Sequence, residues 1–368
     1  MASGSVFKHT WSGGKRVSWK IKYRLPDGRW KVETIGPNKH QAQQVLSDRV
    51  SEINQGRFQE LREATFREFA HKWLEDYARP HVKPSTYDGY ERYLNGHWIP
   101  AFGDVPLRLL TPGRIQETVN GLAARGLKAK SVNNFVVPLK KMLADAVKWG
   151  YLQNSPAINV SRLPVRHQEM RALNPAEVTR LLNAVAPEHR LFFELAAFTG
   201  LRRGELIALC WKDVDWRNQR LHVHRAAWKG HIGTPKSAGS RRSVDLTPAL
   251  LDHLRAAFPE GSEGEVAEEF MFPGVDGGLR DPESFLRWHF KPALRRAGLP
   301  DIRFHDLRHT YASLLILTGE HPKFVQSQLG HASITTTLDR YGHLLPGAYS
   351  HAGQRLQNLF EPGETEKR

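Results

Sequence analysis

One stretch divides this chain of 368 residues. The segment NSPAINVSRLPVRHQE, residues 154–169, is polar, carries two prolines and has no hydrophobic periodicity. Such composition marks a linker between independently patterned regions. The chain is also too long for one comfortable core, so two or three domains are expected. The patterning on either side of the linker differs in kind.

Upstream, four segments repeat their apolar residues at helical spacing: TFREFAHKWLEDYA, KPSTYDGYERYLNGHWIPAFG, TPGRIQETVNGLAARG and AKSVNNFVVPLKKMLADAVKWGYL. Thr, Ser or Pro start signals accompany them. Residues 61–160 therefore read as a compact all-α bundle. Residues 1–60 read differently. VSWKIKYRL alternates large and basic residues as a half-exposed strand does, PDG at 26–28 marks a turn, and RWKVETIG supplies a return strand. NKHQAQQVLSDRVSEINQG then reads as a helix opened by Asn38 and closed by Gly56. A small sheet backed by one helix, with basic and aromatic residues on its open face, can lie in a DNA groove. A merely solvated basic face is the alternative.

Downstream of the linker the pattern is mixed. LNPAEVTRLLNAV, HRLFFELAAFTG, RRGELIALCW, TPALLDHLRAAF and most of the chain after 283 have helical spacing. VDWRNQRLHVHRA and SRRSVDL contain short strands, and the acidic PEGSEGEVAEE at 259–269 reads as a surface loop.

Charge narrows the partner. Lys and Arg number 53 against 38 Asp and Glu, a formal net charge of +15. This excess suggests a polyanion, with nucleic acid ahead of an anionic membrane surface. Arginine pairs at 202–203, 241–242 and 295–296 are scattered along the chain, whereas a membrane anchor would concentrate them. The single cysteine, Cys210, excludes an intrachain disulfide and a cysteine metal cluster. The N-terminus lacks the apolar core of a signal peptide, and no apolar run reaches membrane-spanning length. A soluble intracellular protein is expected.

Several residues in the last half have the chemistry to act on a phosphate. In TGLRRGEL, Thr-Gly ends one helix and Arg202 opens the next, where a guanidinium fork is well placed to hold an anion. In HDLRHTYASLL, His305 and Arg308 are three apart and share a helix face. His305 and His309 have the i,i+4 spacing of a zinc-protease helix. That motif needs Glu directly after the first His, and Asp306 stands there instead. No metal site is expected. Lys236 lies before a short strand, near the tip of a hairpin, in TPKSAGSRRSVDL. His331 and Tyr341 lie in QLGHASITTTLDRYGH. Taken singly, each has an ordinary reading as a loop lysine, a helix-end histidine or a packing tyrosine.

Taken in order, Arg202, Lys236, His305-x-x-Arg308, Leu-Gly-His331 and Tyr341 resemble the catalytic domain of the tyrosine recombinases, the phage integrase family. No departure appears at any of the six positions. The resemblance implies a mixed fold of three domains: an arm-site-binding sheet-plus-helix module at 1–60, a core-site-binding helical bundle at 61–160, and a mainly α catalytic domain with a small antiparallel sheet at 161–368. It implies site-specific cutting and rejoining of DNA through a covalent 3′-phosphotyrosine, to integrate and also excise a phage or mobile element.

In that reading Tyr341 is the nucleophile, and Arg202 and Arg308 clamp the non-bridging oxygens. Lys236 protonates the 5′ leaving oxygen. His305 assists proton transfer, and His331 bonds a phosphate oxygen or the tyrosine. Neither cofactor nor metal is implied. The partners implied are duplex DNA and the chain itself as a tetramer, with room for an excisionase and a host DNA-bending protein, and no membrane. Lys20, Lys22, Arg24, Arg241 and Arg242 are candidate phosphate contacts. A type IB topoisomerase-like relaxer and a non-catalytic DNA-binding regulator are the alternatives. SITTT is rich in β-branched residues and so a poor helix former, which suggests that the Tyr341 segment is loosely held without DNA.

Overall fold

The computed structural model describes residues 3–11, 16–56, 58, 60–165, 171–234, 241–259 and 268–344, with 353, 356 and 360. The chain divides into two compact units, Met1–Arg166 and His167–Arg368.

The first unit holds both upstream patterns. Strands β1 (Gly4–Trp11), β2 (Arg16–Arg24) and β3 (Trp30–Gly36) form an antiparallel sheet in that order. The first strand is additional to those read from the sequence, because GSVFKHTW lacks a clean alternation. It gains its place by pairing along the length of β2, from Gly4 opposite Tyr23 onward. Helix α1 (Lys39–Asn54) packs on one face, where Asn38 accepts from the Gln41 amide as its cap. Ile21, Tyr23, Leu25 and Ala42 are buried there. The period of two in β2 sends Lys20 and Lys22 to the other face, opposite Phe7 and Ser5 on β1 and Thr34 and Val32 on β3.

The bundle follows the four helical segments. Thr65 opens Phe66–Trp73 with a capping box to Glu68, and Thr111 caps Pro112–Ala124. The long helix Ala129–Lys148 runs through the core. Trp73, Trp98, Leu94, Ile115, Val132 and Leu139 are fully buried. One polar node lies among them. The Trp73 indole donates to buried Asp145 at 2.8 Å, and Lys141 donates to the same carboxylate at 2.6 Å. Residues 154–163, a linker by composition, instead pack on this bundle. Ala157 and Val160 are buried, and Asn133 bonds both the N–H and the C=O of Leu163. Apolar anchors spaced irregularly leave no period to read.

In the second unit, helices surround a small antiparallel sheet of β4 (Val214–Asp215), β5 (Arg220–Val223) and β8 (Arg242–Asp245). A separate hairpin pairs β6 (Ala226–Trp228) with β7 (His231–Gly233). Its tip is Lys229–Gly230, both with positive φ, as a tight two-residue hairpin turn requires. RRGELIALCW forms only a short helix, Arg203–Ile207. The chain then bends so that Cys210 bridges to Phe270. No helix among the described residues is long and apolar enough to cross a membrane.

Replacing Asp145 with Ala removes the acceptor of a buried indole N–H. Equilibrium urea unfolding of the full chain should show the first unit weakened by about 1–3 kcal/mol. An unchanged midpoint would mean that the node contributes nothing.

Candidate active site

Two left-handed helix ends frame the site. Helix Pro187–Thr199 terminates at Gly200, with φ +60°, and helix Pro322–Leu329 terminates at Gly330, with φ +63°. Only glycine suits the first position on two counts, since a Cβ there would also meet Tyr311 at 2.5 Å. Carbonyls at such ends lack helical partners and carry the negative end of the helix dipole.

Those carbonyls hold arginines. Arg308, on helix Asp306–Leu317, donates to the Gly200 carbonyl at 2.6 Å and to the Leu329 carbonyl. It is only 3% exposed, and among the described residues it has no ion pair with a carboxylate. Arg202 caps the short helix Arg203–Ile207. Its guanidinium donates to Glu205 at 2.7 Å and, at 3.5 Å, to the Gly330 carbonyl. The Glu205 carboxylate also accepts from the Arg202 amide at 2.9 Å. On β8, Arg242 donates to the other side of Glu205 at 2.9 Å and to the Gln328 carbonyl at 2.6 Å.

Two guanidiniums thus pair with one buried carboxylate, and a third, Arg308, is held nearby by carbonyls alone. Burial and the charges of Arg202 and Arg242 push Arg308 down to about 9, against the pull of Glu205. Burial disfavours the Glu205 carboxylate too, but Arg242 and Arg202 hold it below the usual carboxylate range. A cluster with surplus positive charge, held by dipoles that cannot leave, can hold an anion.

The histidines line the same region. His305 precedes the Arg308 helix and reaches solvent at one edge, yet partial burial of its ring, with the charges of Arg308 and Arg202, lowers it to about 4. His331 follows Gly330, bonds Thr337 through Nδ1 at 2.9 Å, and is lowered to about 3 by burial, Arg308 and Arg202. Tyr341 ends helix Ile334–Tyr341 and is 2% exposed, packed with Tyr311, Ile316, Val325 and Leu329. Burial raises it to about 12, although Arg308 and Arg340 favour its phenolate. Its hydroxyl is 2.5 Å from Nδ1 of His309.

Five of the six residues expected to act therefore lie in one unit around one cluster. The sixth, Lys236, lies outside the described residues. Of the candidate phosphate contacts, Lys22 and Arg24 are exposed and Lys20 is half-buried. Arg241 is exposed, whereas the Arg242 side chain is 5% exposed and engaged with Glu205.

The threonines before Tyr341 have the composition of a loosely held segment. In the fold they form a helix with specific partners. Ser333 caps it by accepting from the Thr335 amide, and Thr337 is buried against His331. Tertiary packing overrides weak propensity here. Glu205, Gln328, Thr337 and His309 join the site without having been assigned to it from the sequence. Glu205 has a legible signal, since it stands three residues after a helix-opening residue.

Comparison with known proteins identifies the family. Residues 171–347 match the model of the phage integrase family, and residues 65–123 match the phage integrase N-terminal SAM-like domain. The chain is 30% identical over 299 residues to the ICEBs1 integrase of Bacillus subtilis (strain 168), covering 76% of this chain and 79% of that protein. It is 29% identical over 366 residues to the putative prophage phiRv2 integrase of Mycobacterium tuberculosis (strain ATCC 25618 / H37Rv), covering 94% of each.

Among solved structures, the Tn1549 transposon integrase in complex with a circular intermediate DNA superposes with a TM-score of 0.68 at 22% identity, covering 80% of this chain and 99% of that one. A lambda integrase dimer bound to a COC′ core site superposes with a TM-score of 0.59 at 19% identity, covering 91% and 94%. The chain belongs to the phage integrase family. It is a site-specific DNA recombinase of the tyrosine class, the kind of enzyme that integrates phages or mobile elements.

Unperturbed histidines titrate near 6.5, while His305, His309 and His331 are held near 4, 4 and 3. Between these limits the unfolded chain binds more protons than the folded one. Stability is therefore full at neutral pH and is lost as pH falls from about 6.5 toward about 3. The thermal midpoint should drop over this range, and less steeply for His331→Asn. Identical slopes would contradict a half-buried, neutral His331.

Proposed function

We propose that this recombinase breaks a DNA strand by attack of Tyr341 on a phosphodiester clamped by Arg202 and Arg308. The observation that carries this is the buried, carbonyl-held Arg308 beside the phenol. The phenolic oxygen bonds phosphorus while the 5′ oxygen departs, and negative charge grows on the two non-bridging oxygens. Preorganised guanidiniums stabilise that charge without reorganising. Lys236 is the proton donor to the leaving oxygen, by resemblance to the family. His305 and His331 are neutral in the free protein and supply hydrogen bonds, and a bound phosphate favours their protonation. Strand energy is kept in the phosphotyrosine, so a 5′ hydroxyl from a partner duplex can reseal it.

Residues 61–160 would hold the core site and residues 1–60 the arm site. Supporting the latter, the face of the β1–β3 sheet opposite α1 carries Lys20, Lys22 and Arg24 with exposed Phe7 and Trp30. Lys22 lies 4.9 Å from the Trp30 ring centre. The functional assembly would be a tetramer on two synapsed duplexes in the host cytoplasm. An excisionase and a DNA-bending protein would set direction.

The test uses DNA carrying the flanks of the protein's own element. Wild type should form a covalent adduct and joined products, while Tyr341→Phe should bind but form no adduct. Arg308→Lys should slow adduct formation by roughly 100-fold or more. Adduct formation by Tyr341→Phe would remove the nucleophile assignment, and relaxation without joining would point to a topoisomerase. Lys20→Ala with Lys22→Ala should weaken arm-site binding and flatten its salt dependence by about 0.9 for each phosphate no longer neutralised. An unaltered salt slope would return the sheet to being a solvated face.

A further inference from the structure

His309 has no place in the reading so far, yet its ring nitrogen lies within hydrogen-bond reach of the nucleophilic atom. It stands next to Arg308 on helix Asp306–Leu317, is 3% exposed, and has its Nδ1 at 2.5 Å from the Tyr341 hydroxyl. The ring is fixed from a second side. His305, one turn earlier, meets it edge to face with ring centres 5.1 Å apart.

We propose that His309 is a further catalytic residue, which orients the Tyr341 hydroxyl through Nδ1 and accepts its proton as the oxygen attacks phosphorus. The proposal rests on Tyr341 being the nucleophile. Atoms and charges balance across the step. The Tyr341 O–H bond breaks and an Nδ1–H bond forms, while the phenolic oxygen bonds phosphorus. The bond from phosphorus to the 5′ oxygen breaks, and that oxygen takes a proton from Lys236.

Chemistry and surroundings agree with this direction of transfer. Burial, His305 and Arg340 hold His309 near 4, so in the free protein it is a neutral ring able to accept. The cations Arg308 and Arg340 act on the phenol and favour its phenolate, leaving Nδ1 as the acceptor for the O–H. The other groups acting on His309 are Asp306 and Arg303, and His331 faces it across the cluster. A phosphodiester bound between Arg202 and Arg308 adds negative charge, which offsets those cations and raises the basicity of His309 at the moment it is needed. Positioned bases of this kind contribute roughly 100-fold or more.

The experiment separates the two ends of the reaction. Wild type, His309→Asn, Lys236→Ala and Tyr341→Phe are compared on a nicked core-site duplex with either oxygen or sulfur at the 5′ bridging position. A sulfur leaving group needs no proton donor. Lys236→Ala should be rescued by sulfur. His309→Asn should stay about 100-fold slow on both substrates, with a rate that climbs about tenfold per pH unit above neutrality as hydroxide replaces the base. A His309→Asn rate within about threefold of wild type, or rescue by sulfur to the wild-type rate, overturns the proposal.

If Tyr341→Phe forms an adduct, the nucleophile assignment fails first. A measurement on the wild-type protein stands independently of how the variant folds. Nitrogen-15 spectra of labelled histidines should show His309 Nδ1 unprotonated and shifted by Tyr341→Phe. A protonated Nδ1 at neutral pH overturns the proposal.

Discussion

The bond from Arg308 to the carbonyls of Gly200 and Leu329 organises the second unit. A guanidinium nearly out of contact with water is costly unless its donors are filled. Here two of its five N–H groups are taken by backbone at two helix ends, whose dipoles favour a cation, and the others remain to meet a phosphate. Carbonyls satisfy hydrogen bonds without cancelling a full charge. A carboxylate in their place would have neutralised Arg308 and removed its attraction for phosphate. Glu205 is kept one step away, where it pairs with Arg202 and Arg242. The cluster thereby keeps its surplus of positive charge.

This constraint explains features that look unrelated. Gly200 must adopt a left-handed conformation to turn its carbonyl to Arg308, and it must lack a Cβ because Tyr311 closes over it. Gly330 repeats the device for Arg202 and delivers His331 directly afterwards. Gln328 ties the same helix to the sheet, since its side-chain oxygen accepts from the Asp245 amide at 3.0 Å. The helix carrying Tyr341 then packs on this frame through Thr337 and the tyrosine ring. Each functional group hangs from backbone that another group has fixed.

That architecture also governs what the sequence discloses. Arg202, His305, Arg308, His331 and Tyr341 are legible because they fall in short ordered motifs with their own glycine and helix-start signals. The helical bundle is legible from its period, and β2 and β3 from their alternation. The partners of the arginines are not legible, because a backbone carbonyl carries no side-chain identity. His309 is visible only as a failed zinc ligand, since its role depends on a residue 32 positions later. Strand β1 and the packed stretch at 154–163 escape for lack of a period. Their places are decided by partners distant in sequence.

The placement of His309 resolves a tension within the site. Phosphate and phenolate are both anions, and both are drawn to Arg308. Once a phosphodiester occupies the guanidiniums, less of their charge remains to help Tyr341 ionise, and burial already holds the phenol near 12. The clamp that stabilises the transition state therefore does little to prepare the nucleophile. A proton acceptor outside the clamp escapes the competition, because bound phosphate makes a neutral imidazole more basic while it occupies the cationic field. His309 meets both requirements. It contacts the hydroxyl directly, and Arg308 directs its donors to the carbonyls of Gly200 and Leu329. In the proposed mechanism, two tasks that the same cations cannot perform together are divided between neighbouring residues on one helix turn, Arg308 for the phosphate and His309 for the proton.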